Sequence, residues 1–230
     1  MSKILFLDRD GPIDVSGPNQ YVHKPEYFHF TDRGIFDVCH EAMEKDYKIV
    51  VVTNQTGIGM GNYTEKDMES VNDHMVDEFK KDGIRITDIF YTKYEDSPNR
   101  KPEPGMFRLA KEKYELTDEE MFHSFAIGDR KKDALAALRA GVGNIVYYQT
   151  SKVMDENWQV IEHYPPNSAQ EIRDIQKEFE KLVIMGALLD AYGVRTEIVE
   201  AKKEVIEPRL VTGQPKMMVI QDYKQIRGRL

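Results

Sequence analysis

Two aspartates one residue apart, Asp8 and Asp10, follow a short apolar run at residues 4–7 and precede Gly11. Alternate residues of a strand point to the same face, so this spacing brings both carboxylates to one point where the strand ends. Two neighbouring carboxylates need either a bridging cation or a proton on one of them. The pair therefore suits phosphoryl transfer, with a nucleophile beside an acid/base, although Asp-x-Asp-Gly alone is also typical of a solvated turn.

Three further polar clusters accompany apolar runs of strand length at 48–52, 87–91 and 124–127. Open α/β sheets bind ligands at the carboxyl ends of their strands, so we expect all four clusters to meet in one site. Thr53 suits a phosphate oxygen, Lys101 suits the charge on a transferring phosphoryl group, and Asp129 suits Mg²⁺. Asp133 is either a further ligand or an acid that favours a helix N-terminus.

The order of these clusters resembles the haloacid dehalogenase superfamily of phosphatases, whose signature is Asp-x-Asp-Gly, then Thr or Ser, then Lys, then Gly-Asp with a further acid. The resemblance covers residues 1 to about 150. It implies that Asp8 is the nucleophile and a metal ligand, and that Asp10 is the general acid/base whose backbone carbonyl also meets the metal. It also implies phosphate contacts for Thr53 and Lys101, a distal metal ligand at Asp129, and Mg²⁺ as the cofactor.

Longer segments resemble the D-glycero-D-manno-heptose 1,7-bisphosphate phosphatases and the related histidinol-phosphate phosphatases, which lack a large cap domain. These segments are Asp8-Arg9-Asp10-Gly11, Tyr21-Val22-His23, residues 51–59, residues 100–106 and Ile127-Gly128-Asp129-Arg130. The candidate substrate and phosphate contacts are Arg9, Thr53, Asn54, Gln55, Arg100, Lys101 and Arg130. The candidate metal ligands are Asp8, Asp10, Asp129 and Asp133. For Gln55, Arg100 and Arg130 the alternative is an exposed loop position without a substrate role.

Two departures from the family pattern stand out. Pro12 occupies the position that is usually Thr, so the loop loses a hydroxyl and a backbone donor. Many members also bind a structural zinc ion before Arg-Lys-Pro, whereas the single cysteine of this chain, Cys39, excludes a four-ligand thiolate site. We therefore expect Mg²⁺ but no structural zinc.

Without the zinc loop, residues 53–59 and 100–106 also resemble the phosphatase half of polynucleotide kinase 3′-phosphatases. A nucleic acid substrate favours a basic groove, whereas this chain carries a net charge of −8. We therefore predict a phosphomonoesterase for a small sugar phosphate or histidinol phosphate, with a polynucleotide 3′-phosphatase as the alternative. A catalytically inactive binding or assembly module on the same fold is a further alternative.

The composition is that of an ordinary globular enzyme, with 40% hydrophobic and 31% charged residues in 230. One cysteine fits a reducing compartment, and no apolar run approaches the ~20 residues of a membrane span. A cytoplasmic protein without a membrane partner is expected.

Alternating strand-like and helix-like segments predict a Rossmann-like, doubly wound parallel sheet with helices at about 33–46, 64–82, 104–114 and 131–140. The connection from Gly11 to Phe30 is too long for a simple turn and predicts a flap beside the site.

Residues 151–230 are assigned to a C-terminal helical and β appendage of the phosphatase domain at 1–150. Apolar residues at helical spacing predict an amphipathic helix at about 168–192, which packs on the enzyme's own core or forms a homodimer contact. Short strands are expected at Val194–Val199 and Met217–Ile220. Residues 195–230 carry eight Lys or Arg against five Asp or Glu, so this tail could pair into a small β unit or contact an anionic partner, although a solvated surface is expected.

Overall fold

The computed structural model describes residues 2–17, 21–150, 152–162 and 215–230, together with positions 170, 173, 174, 176–178, 180 and 181. Apart from those scattered positions, the predicted helix at 168–192 lies outside the described residues, as does the predicted strand at Val194–Val199. Within the described part, no helix is both long and apolar enough to cross a membrane.

Six parallel strands form the main sheet, in the order β3-β2-β1-β4-β5-β8. Two short strands, β6 and β7, pair antiparallel as a separate hairpin. The strand bounds are β1 Lys3–Leu7, β2 Tyr47–Asn54, β3 Ile86–Thr92, β4 Phe125–Gly128, β5 Asn144–Tyr148, β6 Lys152–Met154, β7 Val160–Glu162 and β8 Lys216–Ile220. The parallel sheet with crossover helices confirms the predicted fold class.

Within the described part of residues 2–162, five α-helices lie between the strands, and four of them agree with the predicted segments to within two residues. Their bounds are α1 Gly34–Glu44, α2 Glu65–Lys81, α3 Gly105–Lys113, α4 Asp118–Phe122 and α5 Lys131–Ala140. Thr64 and Thr117 begin α2 and α4 with complete capping boxes, which satisfy backbone donors at the helix starts.

The sheet is covered on both faces, which explains why β1 is almost continuously apolar. Leu5 and Leu7 belong to the core that includes residues of α1 and α2. Ile4 and Phe6 point to the opposite face and join the core that includes residues of α3 and α5. Because the strand period is two, this short strand supplies both cores and ends at the site.

The last strand lies in the main sheet, so the expectation of a solvated tail or a separate β unit is wrong for β8. Its residues pair in parallel with β5, from Asn144 opposite Lys216 to Tyr148 opposite Ile220. The edge of β5 otherwise presents unpaired backbone groups, which β8 satisfies. The strand predicted at Met217–Ile220 is confirmed, whereas the division of the chain at residue 150 stays a prediction.

The loop after β1 is anchored rather than free where the structure describes it. Ile13, Val22 and Phe28 are buried in the core beside α1 and α2. A short 3-10 helix spans Pro25–Tyr27. These contacts hold the predicted flap region against the sheet edge that carries the polar clusters.

Candidate active site

The strand order brings the predicted clusters to one edge of the sheet. β1 lies between β2 and β4, and Leu7 is opposite both Val51 and Ile127. Asp8 follows Leu7 directly, while Thr53 and Asp129 come two residues after its two partners. Parallel strands end at the same edge, so three chain segments deliver their polar side chains to one crevice.

Three buried carboxylates form a cluster at this edge. Asp8, Asp129 and Asp133 each offer an oxygen atom within 4.8 Å of the oxygens offered by the other two. The Oδ1 atom of Asp129 is buried and accepts no hydrogen bond from the residues that the structure describes. A buried acceptor without a donor is costly unless something completes it, and carboxylate oxygens are preferred ligands of Mg²⁺. The residues therefore fit a divalent cation, and the backbone carbonyl predicted for Asp10 would add to this set.

Lys101 is the cation that this cluster already contains. Its side chain is 0% exposed, and its Nζ lies 2.9 Å from Asp8 Oδ1 and 2.7 Å from Asp133 Oδ1. The ammonium also donates to the Val52 carbonyl oxygen at 2.9 Å. Two hydrogen bonds of 3.0 Å hold the Lys101 backbone to the Asn54 side chain. Asn54 Nδ2 donates to the Lys101 carbonyl oxygen, and the Lys101 backbone N–H donates to Asn54 Oδ1. Asn54 thus positions the lysine loop rather than facing an open pocket.

Burial and mutual repulsion set the protonation of the three carboxylates in the absence of a cation. Burial raises the pKa of Asp8 well above its ordinary value, and the charge of Asp133 raises it further. The same two causes raise the pKa of Asp129 to about 7. Burial also acts to raise the pKa of Asp133, but the charges of Lys101 and Lys132, together with hydrogen bonds with Lys101 and Asp8, outweigh burial and lower that pKa. Because the pKa values of Asp8 and Asp129 are raised, a bound cation would stabilise their ionised forms, and the cluster favours binding of a cation.

Asp10 is held differently, with a cationic donor on one carboxylate oxygen and neutral donors on the other. Its side chain is 25% exposed, against 5% for Asp8. Oδ1 accepts from Arg9 Nε at 3.2 Å and from an Arg9 terminal nitrogen at 2.9 Å. Oδ2 accepts from the Thr53 hydroxyl at 3.2 Å and from Gln55 Nε2 at 2.8 Å. Asp10 therefore combines a fixed orientation with access to solvent, as an acid/base needs.

Arg9 points inward, although the sequence predicted a substrate contact. Its side chain is fully buried, and besides Asp10 it donates to Asn72 Oδ1 at 3.0 Å and to the Val22 carbonyl oxygen at 3.3 Å. Asp14, also fully buried, lies 3.7 Å from Arg9 Nε. The geometry favours a role in holding Asp10.

Gly11 and Gly128 permit the close packing of the loops around the cluster. A Cβ atom on Gly11 would lie 2.3 Å from Asp129 Cγ, and Gly11 has a φ of +107°, which side chains rarely allow. A Cβ atom on Gly128 would lie 2.3 Å from the Asp133 Cβ. The backbone after the first two aspartates thus rests directly on the Asp129 carboxyl group.

The two remaining candidate arginines differ in burial. Arg130 has a 58% exposed side chain, with its Nε 3.3 Å from Asp129 Oδ2. Arg100 is half-buried, and its Nε is buried without a hydrogen-bond acceptor among the described residues. A substrate role for each arginine stays a prediction.

Several residues that support the site were missed at the sequence level. Tyr63 donates to Gln55 Oε1 at 2.6 Å, and Asn72 accepts from Arg9 as described above. The Tyr223 hydroxyl donates to the Pro12 carbonyl oxygen at 2.7 Å. Asp14 has two buried oxygens without a hydrogen bond among the described residues. None of them lies in a recognisable pattern, except that Asp14 shares the strand-end segment of the first two aspartates.

Comparisons with known proteins agree with this geometry. The sequence model of the family described as polynucleotide kinase 3 phosphatase matches residues 3–153. D-glycero-alpha-D-manno-heptose-1,7-bisphosphate 7-phosphatase from Campylobacter jejuni is 38% identical over 152 residues, which cover 66% of this chain and 85% of the relative. D-glycero-beta-D-manno-heptose-1,7-bisphosphate 7-phosphatase from Helicobacter pylori is 35% identical over 162 residues, which cover 68% and 90%.

A solved structure shares the fold as well. The D,D-heptose 1.7-bisphosphate phosphatase from B. bronchiseptica, complexed with magnesium and phosphate, is similar with a TM-score of 0.58 and 26% identity, covering 64% of this chain and 81% of that one. The fold, the assembled clusters and the family match agree, and this chain belongs to the polynucleotide kinase 3 phosphatase family of haloacid dehalogenase-like phosphatases.

Proposed function

We propose that this chain is a Mg²⁺-dependent phosphomonoesterase that works through an aspartyl phosphate on Asp8. The observation that carries the proposal is the juxtaposition of Asp8 with the buried Lys101 ammonium and with the Asp129 carboxylate, whose Oδ1 accepts no hydrogen bond within the described part of the chain. A nucleophilic carboxylate needs such positive charge nearby, because the attacked phosphoryl group is itself an anion.

In the first step, an Asp8 oxygen forms a bond to phosphorus while the bond from phosphorus to the leaving oxygen breaks. Asp10, protonated, gives its proton to that oxygen, so the product leaves as an alcohol. In the second step, the Asp10 carboxylate takes a proton from water as the water oxygen attacks phosphorus, which releases inorganic phosphate and restores Asp8. When bound by Asp8, Asp129 and Asp133, Mg²⁺ supplies positive charge that offsets the repulsion between carboxylate and phosphoryl oxygens.

The polar side chains around the two aspartates divide the remaining work. Lys101 balances charge on the phosphoryl oxygens and on Asp8, and Thr53 offers a hydroxyl beside Asp10. Arg9 and Gln55 hold Asp10 in the orientation that proton transfer requires. We expect the exposed Arg130 and the half-buried Arg100 to contact the rest of the substrate.

For the substrate we propose a small sugar phosphate, with heptose 1,7-bisphosphate first and histidinol phosphate next. Support comes from the names of the relatives with 38% and 35% identity and from the net charge of −8, which disfavours a polyanionic nucleic acid. A polynucleotide 3′-phosphatase is the second candidate, because the matched family model carries that description.

A phosphate-release assay with Mg²⁺ tests the proposal on three substrates side by side, namely heptose 1,7-bisphosphate, histidinol phosphate and a 3′-phosphorylated oligonucleotide. We expect turnover of the heptose bisphosphate, no turnover by Asp8→Asn, and unchanged turnover by Asp118→Asn, which neutralises an exposed carboxylate on α4. Undiminished phosphate release by Asp8→Asn would refute the mechanism. A preference for the oligonucleotide would overturn the substrate ranking, and inactivity of the folded wild type on all three would favour the inactive binding module.

A further inference from the structure

We propose that Tyr63 is a positioning residue for the acid/base Asp10 and that it acts through the side-chain amide of Gln55. This inference rests on the proposed function, because it assigns a partner to the group that protonates the leaving oxygen. Tyr63 has no role in the proposed function, and Gln55 holds Asp10 there although the sequence predicted a substrate contact for Gln55.

The hydrogen bonds run in one direction from Tyr63 to Asp10. The Tyr63 hydroxyl donates to Gln55 Oε1 at 2.6 Å. Gln55 Nε2 then donates to Asp10 Oδ2 at 2.8 Å and approaches the Thr53 hydroxyl oxygen at the same distance. Gln55 is 0% exposed, so neither end of its amide exchanges its partner for water.

The tyrosine hydroxyl decides which end of the amide faces Asp10. A carboxylate only accepts hydrogen bonds, so Asp10 requires the NH₂ end of Gln55. A 180° rotation of the amide would bring its carbonyl oxygen against the Asp10 carboxylate and its NH₂ group against the tyrosine hydroxyl. While Tyr63 donates to the Gln55 carbonyl oxygen, only the orientation that turns the NH₂ group toward Asp10 satisfies both Tyr63 and Asp10.

Tyr63 is itself well placed to hold its hydroxyl still. It is 6% exposed, and its ring lies 5.3 Å from the ring of Tyr21 and 6.1 Å from that of His23, measured between centroids. A Cβ atom on Gly57 would come within 2.3 Å of the Tyr63 ring, so the backbone also closes against it. Burial and the nearby Asp10 charge raise the pKa of Tyr63, which keeps the hydroxyl protonated and able to donate.

Loss of this hydroxyl should affect proton delivery more than phosphoryl attack. A poor leaving group such as a sugar alkoxide needs the proton from Asp10, whereas a nitrophenolate leaves without it. A role confined to the stability of the fold would lower both activities together. The dependence on the leaving group therefore separates positioning of Asp10 from a structural effect.

The test compares kcat/KM of the full chain and Tyr63→Phe on heptose 1,7-bisphosphate and on p-nitrophenyl phosphate. We expect a fall of about 10- to 100-fold on the alkyl substrate, because small misplacement of a catalytic group has effects of this order, and less than about 3-fold on the aryl substrate. The fall should lie in kcat rather than in KM. Tyr47→Phe is the matched control. Tyr47 is also buried, and its hydroxyl donates a hydrogen bond to the His123 carbonyl oxygen, which is remote from Asp10.

A double-mutant cycle with Gln55→Leu tests the path of the effect. If Tyr63 acts through Gln55, adding Tyr63→Phe to Gln55→Leu causes no further loss on the alkyl substrate. Equal losses on both substrates, no loss on either, or additive losses in the cycle would overturn the inference while wild-type activity still upholds the proposed function. A folded wild type without phosphatase activity would overturn both.

Discussion

The buried Lys101 ammonium offers the sharpest test of how the site is held together. Replacing it by Met keeps an unbranched side chain of similar length but removes the positive charge between Asp8 and Asp133. It also removes the donor to the Val52 carbonyl oxygen. Asp8 and Asp133 would then be buried without the ammonium that pairs with both of them.

The expected cost follows from that burial. Breaking a buried ion pair by removing one partner costs about 3–5 kcal/mol, because the other charge stays desolvated. Domains are stabilised by about 5–15 kcal/mol in total, so we expect Lys101→Met to fold with a melting temperature lower by on the order of 10 °C. Phosphatase activity should fall by about 10²- to 10³-fold, since one preorganised charge at the reacting group is lost.

Urea unfolding followed by circular dichroism, with and without Mg²⁺, measures the free energy of unfolding. Mg²⁺ should restore part of the loss, because it replaces positive charge among the same carboxylates. Asp133→Asn added to Lys101→Met should also recover stability, because it removes one of the uncompensated anions. Lys81→Met, which breaks an exposed ion pair with Glu78 on α2, is the control and should leave stability unchanged within error.

Two results would refute this reasoning. One is a loss below about 1 kcal/mol for Lys101→Met without Mg²⁺, which would mean that the carboxylates do not need the ammonium. The other is additivity in the double variant Lys101→Met/Asp133→Asn, whose loss in free energy of unfolding would then equal the sum of the losses of the two single variants. Either result would show that the lysine contributes packing rather than charge.

Three further outcomes test the surroundings of the cluster. Gly11→Ala should abolish activity and lower the melting temperature, because its Cβ would lie 2.3 Å from Asp129 Cγ at a φ of +107°; normal kcat would contradict the close packing. Mg²⁺ at 100-fold its dissociation constant should stabilise the wild type by about 2.7 kcal/mol but leave Asp129→Asn nearly unaffected, as thermal melts would show; equal shifts would place the cation elsewhere. Tyr223→Phe should lower the free energy of unfolding by about 1–3 kcal/mol, since the buried Pro12 carbonyl loses its donor, and an unchanged urea midpoint would argue against that bond.

The chemistry-bearing residues were predictable where a local pattern carried them. The apolar run before Asp8 and the spacing to Asp10 predict a strand that ends in two like-facing carboxylates, and the structure shows β1 ending there. In the same way, the apolar run before Asp129 forms strand β4, which ends directly before that aspartate. Helix bounds were predictable from periodicity and caps, which also depend only on residues a few positions apart.

The partners of those residues were not predictable from the same patterns. Arg9 was expected to face the substrate, but it reaches Asn72 on α2, a residue 63 positions away. Gln55 is satisfied by Asp10 and Tyr63, and β8 pairs with β5 across a long intervening segment. In each case, the outcome depended on which donors and acceptors met once the helices had packed on the sheet.

By itself, the sequence determined that strands end in acidic and polar residues, because strand and helix periods are local properties of the chain, and the order of those residues resembles that of haloacid dehalogenase-like phosphatases. Only the tertiary structure decided that Lys101 lies buried between Asp8 and Asp133, and that Asp10 is oriented by Arg9 and Gln55. The physical reason is desolvation: a buried polar group must find a partner, and the partner is chosen by the packing of distant segments rather than by neighbours in sequence.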